Sequence, residues 1–478
     1  MVLPPNLANL PQGNGNLVGL PQVNKLILPP STSKIVKGKY IVEIKEGTKI
    51  NFINTLTPSS VFPKYKYENF PKYIAYELDD QTLQFVSSNP DVVKIYPVDQ
   101  MALFQPDLKP MNLGLVSAEI HTPEAHTQYT QGENTVICIV DTGICGTIIP
   151  TSRKFGGWSF DSDAWSDYYG HGSMCAAIAC ADTADGNKYM GIAPKSLVYS
   201  GKTHLTTDEI IAIYNDIMTK AQENPQYRFV VSNSWGFDTC EATGYCNHPL
   251  VSTITTLINN DIVVVFAAGN EHTDCGGSPE NCTPNTIWAQ SSLRRVISVG
   301  TVDSNGDLWS YSSRGGGECV SASDAWAKPD VVAPTYGEIN WGCSYQTMSN
   351  GWGTSGACPQ VAGIASLILS LNPNLSVDGV HQIIVRCASN YPNRDLCMGY
   401  GKIDALKACQ ITSGDIPQPT CTVDTDCETG YSCIDGSCIP TAPPGGGGSN
   451  LVLFSIAGFA LGFIVLKAIK KKKYKRKA

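Results

Sequence analysis

The sequence predicts an α/β fold, a parallel β-sheet flanked by helices, on three observations. Apolar runs of strand length alternate with helical periodicities across residues 105–412. Residues 136–140 (VICIV) are five consecutive apolar residues running into Asp141, the pattern of a strand buried on both faces with a carboxylate at its C-terminal end. Residues 208–221 carry Ile210, Ile211, Tyr214, Ile217, Met218 and Ala221 on one side, as a crossover helix between parallel strands requires.

Taken in order, residues 1–33 are rich in Pro, Asn, Leu and Gly without periodicity and read as a disordered leader. Residues 34–104 change character. GKYIVEIKEG, FPKYIAYELD and VVKIYPVDQ give three strands, and residues 51–56 and 80–86 are compatible with helix, so this is a small α+β unit. In the long domain, residues 105–412, further strands are expected at 196–200, 229–232, 262–267 and 296–300. Residues 351–371 (GWGTSGACPQVAGIASLILSL) read as a helix entered through a glycine-containing turn, with Pro359 in its first turn and Ser355 at its entrance.

Residues 421–438 hold four cysteines in a span too small for a core, which favours two disulfides over zinc because no CxxC knuckle is present. Residues 440–450 (PTAPPGGGGSN) are a flexible linker. Residues 451–466 carry no charge and extend to 469 if Lys467 snorkels, the short end of a single membrane span. The basic tail, 470–478, is expected on the cytoplasmic side, with the body of the chain opposite, extracytoplasmic or on a virion.

The 478 residues are 42% hydrophobic and 16% charged, compatible with a globular enzyme and not with a disordered or fibrous chain. Residues 467–478 hold eight Lys or Arg and no acid, leaving 26 basic against 42 acidic groups elsewhere. An acidic body argues against nucleic acid as a partner. Eighteen cysteines point to an oxidising compartment, although residues 1–17 have neither the basic start nor the apolar run of a secretory signal. The pairs Cys240 with Cys246 and Cys275 with Cys282 are close enough in sequence to staple loops.

Three side chains carry the chemistry. Ser355 lies beside glycines at a helix start, where free N–H groups can stabilise an oxyanion. Asp141 ends a buried strand, and His171 lies between two glycines before a small-residue helix. Each alone has a plainer reading, as helix cap, turn former or core histidine. Together, in the order Asp, His, Ser, they match a nucleophilic triad. Asp-Thr-Gly also resembles the aspartic-protease motif, but that enzyme needs a second such aspartate, and a single chain supplies none.

DTGI (141–144), GHGSMCA (170–176) and GTSGACPQVAG (353–363) resemble the signature blocks of subtilases, and GIAPK, SNSWG, AAGNE, YSSRG and KPDVVAP agree, over about residues 106–409. The resemblance implies a serine endopeptidase with protein or peptide substrates. Asp141 would orient His171, His171 would act as base and then acid, and Ser355 would attack. Asn270 is implied as the oxyanion donor, Ser234, Trp235 and Gly236 as the segment that pairs with bound peptide, and Ala267, Ala268 and Gly269 as one wall of the specificity pocket. Residues 34–104 are then an inhibitory propeptide, cut after about Phe104. No cofactor is required. Calcium is common in the family, with no ligand set assignable here. Gly356, Gln360, Ser173 and Met174 depart from the usual pattern, and Cys175 resembles the buried thiol of the proteinase K branch. The rival function is a catalytically weak surface or envelope protein that keeps the fold for binding.

Overall fold

The computed structural model describes residues 25–27, 35–46, 63–103, 112–237, 244–320, 323, 326–348, 351–416, 431–434 and 437–440. The N-terminal unit contains β1 (Ile35–Ile44), β2 (Pro63–Lys66), β3 (Tyr73–Glu77), α1 (Asp80–Ser88) and β4 (Val92–Asp99). Its sheet is antiparallel in the order β2-β3-β1-β4. Side chains alternate along each strand. Tyr40, Val42 and Ile44 pack with Ile74, Tyr76, Leu83 and Val86 on the α1 side. Ile41, Tyr73, Ala75, Tyr96 and Val98 face the other way and join the core of the long domain. Asp79 caps α1 by accepting from Thr82 N at 2.7 Å. β2, which opens on a proline, escaped the sequence reading, and the helix expected at 51–56 lies outside the described residues.

The chain then continues through β5 (Met101–Leu103), α2 (Leu113–Glu119), α3 (Thr122–Gln128), β6 (Thr135–Asp141), β7 (Lys154–Ser159), α4 (His171–Cys180), β8 (Leu197–Lys202), α5 (Thr207–Glu223), β9 (Arg228–Asn233), β10 (Trp235–Phe237) and α6 (Pro249–Asn259). It finishes the domain with β11 (Val263–Ala267), β12 (Ile297–Val302), β13 (Val331–Pro334), the hairpin β14 (Gly337–Trp341) and β15 (Ser344–Met348), α7 (Gly353–Leu371), α8 (Val377–Cys387) and α9 (Ala405–Ser413). Seven strands form one parallel sheet in the order β13-β12-β11-β9-β6-β8-β7. The chain leaves β6 toward β7 and β8, then crosses to β9 on the other side. The C-terminal ends of β6 and β9 therefore flank the point where the strand order reverses, the place where α/β sheets hold ligands.

The five apolar residues of β6 are fully buried, as expected of a central parallel strand. The two edge strands, β7, with two glycines and half-exposed side chains, and β13, were both missed by the sequence reading. α7 packs across β9, β11 and β12, while α5 contacts β6 and β7 and α6 contacts β11. By length and composition α7 could cross a membrane, but 89% of its most apolar window is buried, so it is the core helix of this domain. The proposed anchor, 451–469, lies outside the described residues. A final hairpin, β16 (Tyr431–Ile434) with β17 (Ser437–Pro440), sets Cys433 opposite Cys438 in register.

Among the described residues, disulfides join Cys145 to Cys343, Cys246 to Cys319, and Cys282 to Cys397. These overturn the expected local pairings of Cys246 and Cys282. The partners meet through the fold, across separations of 73 to 198 residues, which spacing in sequence does not encode.

A buried ionic group ties the sheet edge to α8. Asp330 accepts from Lys328 Nζ and from Ser298 N, each at 2.7 Å, and its other oxygen lies 3.0 Å from His381 Nε2. Burial alone would raise the Asp330 carboxyl, but the charges of Lys328 and His381 outweigh it and hold it below the ordinary range. A depressed carboxyl contributes stability above its unfolded value of about 4, lost as pH falls through the folded value. Lys328→Met removes one of the two buried groups whose charge faces this carboxylate, and is expected to cost roughly 3–5 kcal/mol in urea unfolding. A loss below about 1 kcal/mol would count against a stabilising pair.

Candidate active site

Asp141 is the last residue of β6 and is buried. Its Oδ1 and Oδ2 lie 2.8 and 3.0 Å from His171 Nδ1, and Oδ1 also accepts from Thr142 N at 2.8 Å. Because Nδ1 donates to a carboxylate, the neutral imidazole keeps its lone pair on Nε2. That atom is buried and has no hydrogen-bond partner among the described residues. His171 opens α4, and its approach to Asp141 requires Gly172. A Cβ there would stand 2.2 Å from Gly143 O and 3.0 Å from Asp141 Cβ. The ring of Trp341, on β14, meets that of His171 edge to face at 6.0 Å.

Ser355 is the third residue of α7. Pro359 is the seventh, so it lies inside the helix and not in its first turn as expected from sequence. Proline has no N–H to donate to the carbonyl four residues back, which is that of Ser355. This carbonyl instead accepts from Ser234 Oγ at 2.9 Å and lies 3.6 Å from Cys175 Sγ. Ser355 Oγ donates to Ser234 O at 3.3 Å. Cys175 Sγ also lies 3.7 Å from Asp141 Oδ2 and 3.9 Å from His171 Nδ1, so one buried thiol touches all three residues. Burial, with the nearby Asp141 charge, pushes this thiol well above its ordinary range, and burial pushes Cys358 up to about 11. Both remain protonated at neutral pH and are poor nucleophiles.

Asn270 follows β11. Its Oδ1 accepts from Thr354 N at 2.9 Å and Thr354 Oγ1 at 3.0 Å, which fixes the amide orientation. Nδ2 is buried with no hydrogen-bond partner among the described residues. Gly353, at φ +64°, borders this amide: a Cβ would approach Nδ2 to 2.7 Å. Gln360, where the sequence departs from the usual histidine, is buried and donates to Pro334 O and Gly356 O at 2.7 and 3.0 Å.

Of the residues expected to bind substrate, Trp235 has its indole in the core, donating to Val140 O at 2.9 Å and packed edge to face on Phe266. Only its backbone stands at an edge. There β10 pairs antiparallel with β5, in register Trp235↔Leu103, Gly236↔Ala102 and Phe237↔Met101. Met101 N also donates to Leu205 O at 2.7 Å, so the segment lies between two backbones. Ala267 and Ala268 are buried at the end of β11. Gly269 is flanked by Glu271, Ser313 and Trp288, each with an atom 2.7 Å from where its Cβ would lie. Sequence reasoning missed these three, Trp341 and Asp167. Asp167 accepts five hydrogen bonds between the segments carrying Asp141 and His171. Spacing does not distinguish it from Asp161 and Asp163.

Three clusters of potential metal ligands occur among the described residues. One is Asp141 with His171 and Cys175. The other two contain disulfide-bonded cysteines, whose sulfurs are spent. None is the set of hard oxygen donors that calcium takes.

Comparison with known proteins agrees with this architecture. The chain is 27% identical over 387 residues to the "Calcium-dependent protease" of Nostoc sp. (strain PCC 7120), covering 69% of this chain and 54% of that protein, about half its length. It is 27% identical over 384 residues to subtilisin E of Bacillus subtilis, covering 78% and 90% of the two chains. Thermitase of Thermoactinomyces vulgaris is 28% identical over 297 residues, covering 61% and 94%. The crystal structure of fervidolysin from Fervidobacterium pennivorans, described as a keratinolytic enzyme related to subtilisin, superposes with a TM-score of 0.62 at 18% identity, covering 88% of this chain and 70% of that one, and shares the fold. The aspartic-protease reading of Asp-Thr-Gly falls, since Asp141 pairs with a histidine. Residues 132–401, more than half of the chain, match the Subtilase family (peptidase S8), and the protein belongs to that family.

Proposed function

We propose that the protein is a serine endopeptidase of the subtilisin type, made as a zymogen and anchored in a membrane. One observation carries the peptidase reading. Beside the helix start that holds Ser355, His171 Nε2 and Asn270 Nδ2 are buried and have no hydrogen-bond partner among the described residues, while the opposite atoms of both side chains are fixed by Asp141 and Thr354. An acceptor and a donor are thus held ready for groups that only a reacting peptide brings.

In this reading Ser355 Oγ attacks the scissile carbonyl carbon as His171 Nε2 takes its proton, and Asp141 stabilises the imidazolium. The carbonyl oxygen becomes an oxyanion held by Asn270 Nδ2 and the Ser355 N–H. Collapse expels the amine, which takes the proton from His171, and leaves an acyl-enzyme. Water then attacks with His171 again as base, releasing the acid and restoring Ser355. The direct test is a fluorophosphonate label followed by peptide mapping, expected at Ser355 in the processed protein. A folded, processed chain that takes up no label at neutral or mildly alkaline pH ends the enzyme reading in favour of a binding protein.

The N-terminal unit is read as the propeptide. The antiparallel pairing of Met101–Leu103 on Trp235–Phe237 supports this, because a peptide substrate binds a strand edge in the same way. Phe104 follows directly and is the proposed cleavage residue. The anchor rests on composition alone, residues 451–469 before a basic tail. Deleting residues 450–478 is expected to give a soluble, active enzyme. A truncated protein that still sediments with membranes after a carbonate wash sinks the anchor.

A further inference from the structure

We infer that Asp167 is a positioning residue for the Asp141–His171 pair; the inference rests on the triad reading above. Asp167 lies four residues before His171, outside α4, in a segment that no strand or helix supports. Its Oδ1 accepts from Thr142 Oγ1 at 2.9 Å, Tyr169 N at 2.9 Å and Gly170 N at 2.7 Å. Its Oδ2 accepts from Ser173 N at 2.8 Å and Ser173 Oγ at 2.5 Å.

The two hydroxyls make this more than a helix cap. Thr142 Oγ1 donates to Asp167 and accepts from Gly172 N at 3.0 Å, so it reaches from the residue after Asp141 to the residue after His171. Ser173 Oγ donates to Asp167 and accepts from Cys145 N at 2.9 Å, a second link between α4 and the segment following β6. Both links run in the direction the carboxylate dictates, because a hydroxyl that donates to Asp167 turns its lone pairs toward the backbone N–H groups. Thr142 N in turn donates to Asp141 Oδ1, the oxygen 2.8 Å from His171 Nδ1. One carboxylate thus holds both ends of the Asp141–His171 contact through charge-assisted bonds.

The five donors need a side chain that only accepts. Asparagine has nearly the same shape, but whichever way its amide turns, the NH2 faces at least two donors. Asp167→Asn therefore separates the acceptor role from packing. On a short peptide substrate, the processed variant is expected to lose about 100-fold in kcat with KM within about twofold, because a shift of about 1 Å in a catalytic group costs on that scale and binding is untouched. A kcat within threefold of the parent overturns the inference, as does a loss expressed only in KM.

A second measurement does not depend on activity. In the Ser355→Ala background, which is expected to keep the chain uncut, the proton shared by His171 Nδ1 and Asp141 is expected as a far-downfield 1H NMR signal. Adding Asp167→Asn should weaken or shift it, and Thr142→Val, which removes one link, should do so less. An unchanged signal in both variants, with thermal unfolding showing them folded, makes Asp167 a loop-folding residue and overturns the inference. If the parent takes no fluorophosphonate label, the peptidase reading has failed, and the proton signal alone decides the role of Asp167.

Discussion

Ser355→Ala in the full chain is expected to accumulate as a single precursor that retains its N-terminal unit, with peptidase activity lower by roughly a millionfold. That scale is set by subtilisin, where removing the nucleophile or its histidine abolishes nearly all triad catalysis. It applies here because Ser355 is held from both sides, its carbonyl by Ser234 Oγ and its Oγ at Ser234 O, so loss of the hydroxyl leaves the surroundings in place. Gel analysis of whole cells reads the precursor, and a peptide assay on the purified chain reads the activity. A Ser355→Ala chain cut on the normal schedule shows that another protease matures this one.

Asn270→Ala is expected to lower kcat by about 100- to 1000-fold with little change in KM, the range seen on removing the corresponding donor in subtilisin. The argument is geometric. Thr354 N and Oγ1 occupy the amide oxygen, so Nδ2 has one orientation, and in the proposed mechanism it is a donor that ground-state substrate barely uses. The same variant frees Thr354 N and Oγ1 of their acceptor, so Thr354→Val serves as the control for that disturbance. If Asn270→Ala loses no more than Thr354→Val, the amide is a fixture of the loop and not an oxyanion donor.

How much of this was legible in the sequence differs from element to element. β6 was readable because a strand buried on both faces needs an unbroken apolar run, and 136–140 supplies one. The small residues of α4 and α7 marked helices packed closely on all sides, and both are wholly or nearly buried. The position of Pro359 was not readable. A helix with proline normally starts just before it, but here α7 starts six residues earlier because Ser234 takes the carbonyl that proline leaves unpaired. The side chain of Trp235 was not readable for a related reason. Backbone edges bind peptides whatever their side chains do, so the tryptophan serves the core while its backbone lies at the edge. The N-terminal unit showed its alternation, but not that the second face of its sheet would be buried as well. Asp167 was hidden because its partners are backbone N–H groups and two common hydroxyls, which no local pattern records.

Among the described residues the cysteines fall into two populations. The three described disulfides tie loops, while Cys138, Cys175, Cys180, Cys358, Cys387 and Cys409 are thiols sealed inside the domain. A reagent in solution meets these six only when the structure opens, and they sit on β6, α4, α7, α8 and α9, different elements of the same core. The folded chain therefore carries a built-in stopwatch for its own opening. The order in which an alkylating agent captures Cys409 on the last helix and Cys138 on the central strand records which layer of the protein comes apart first.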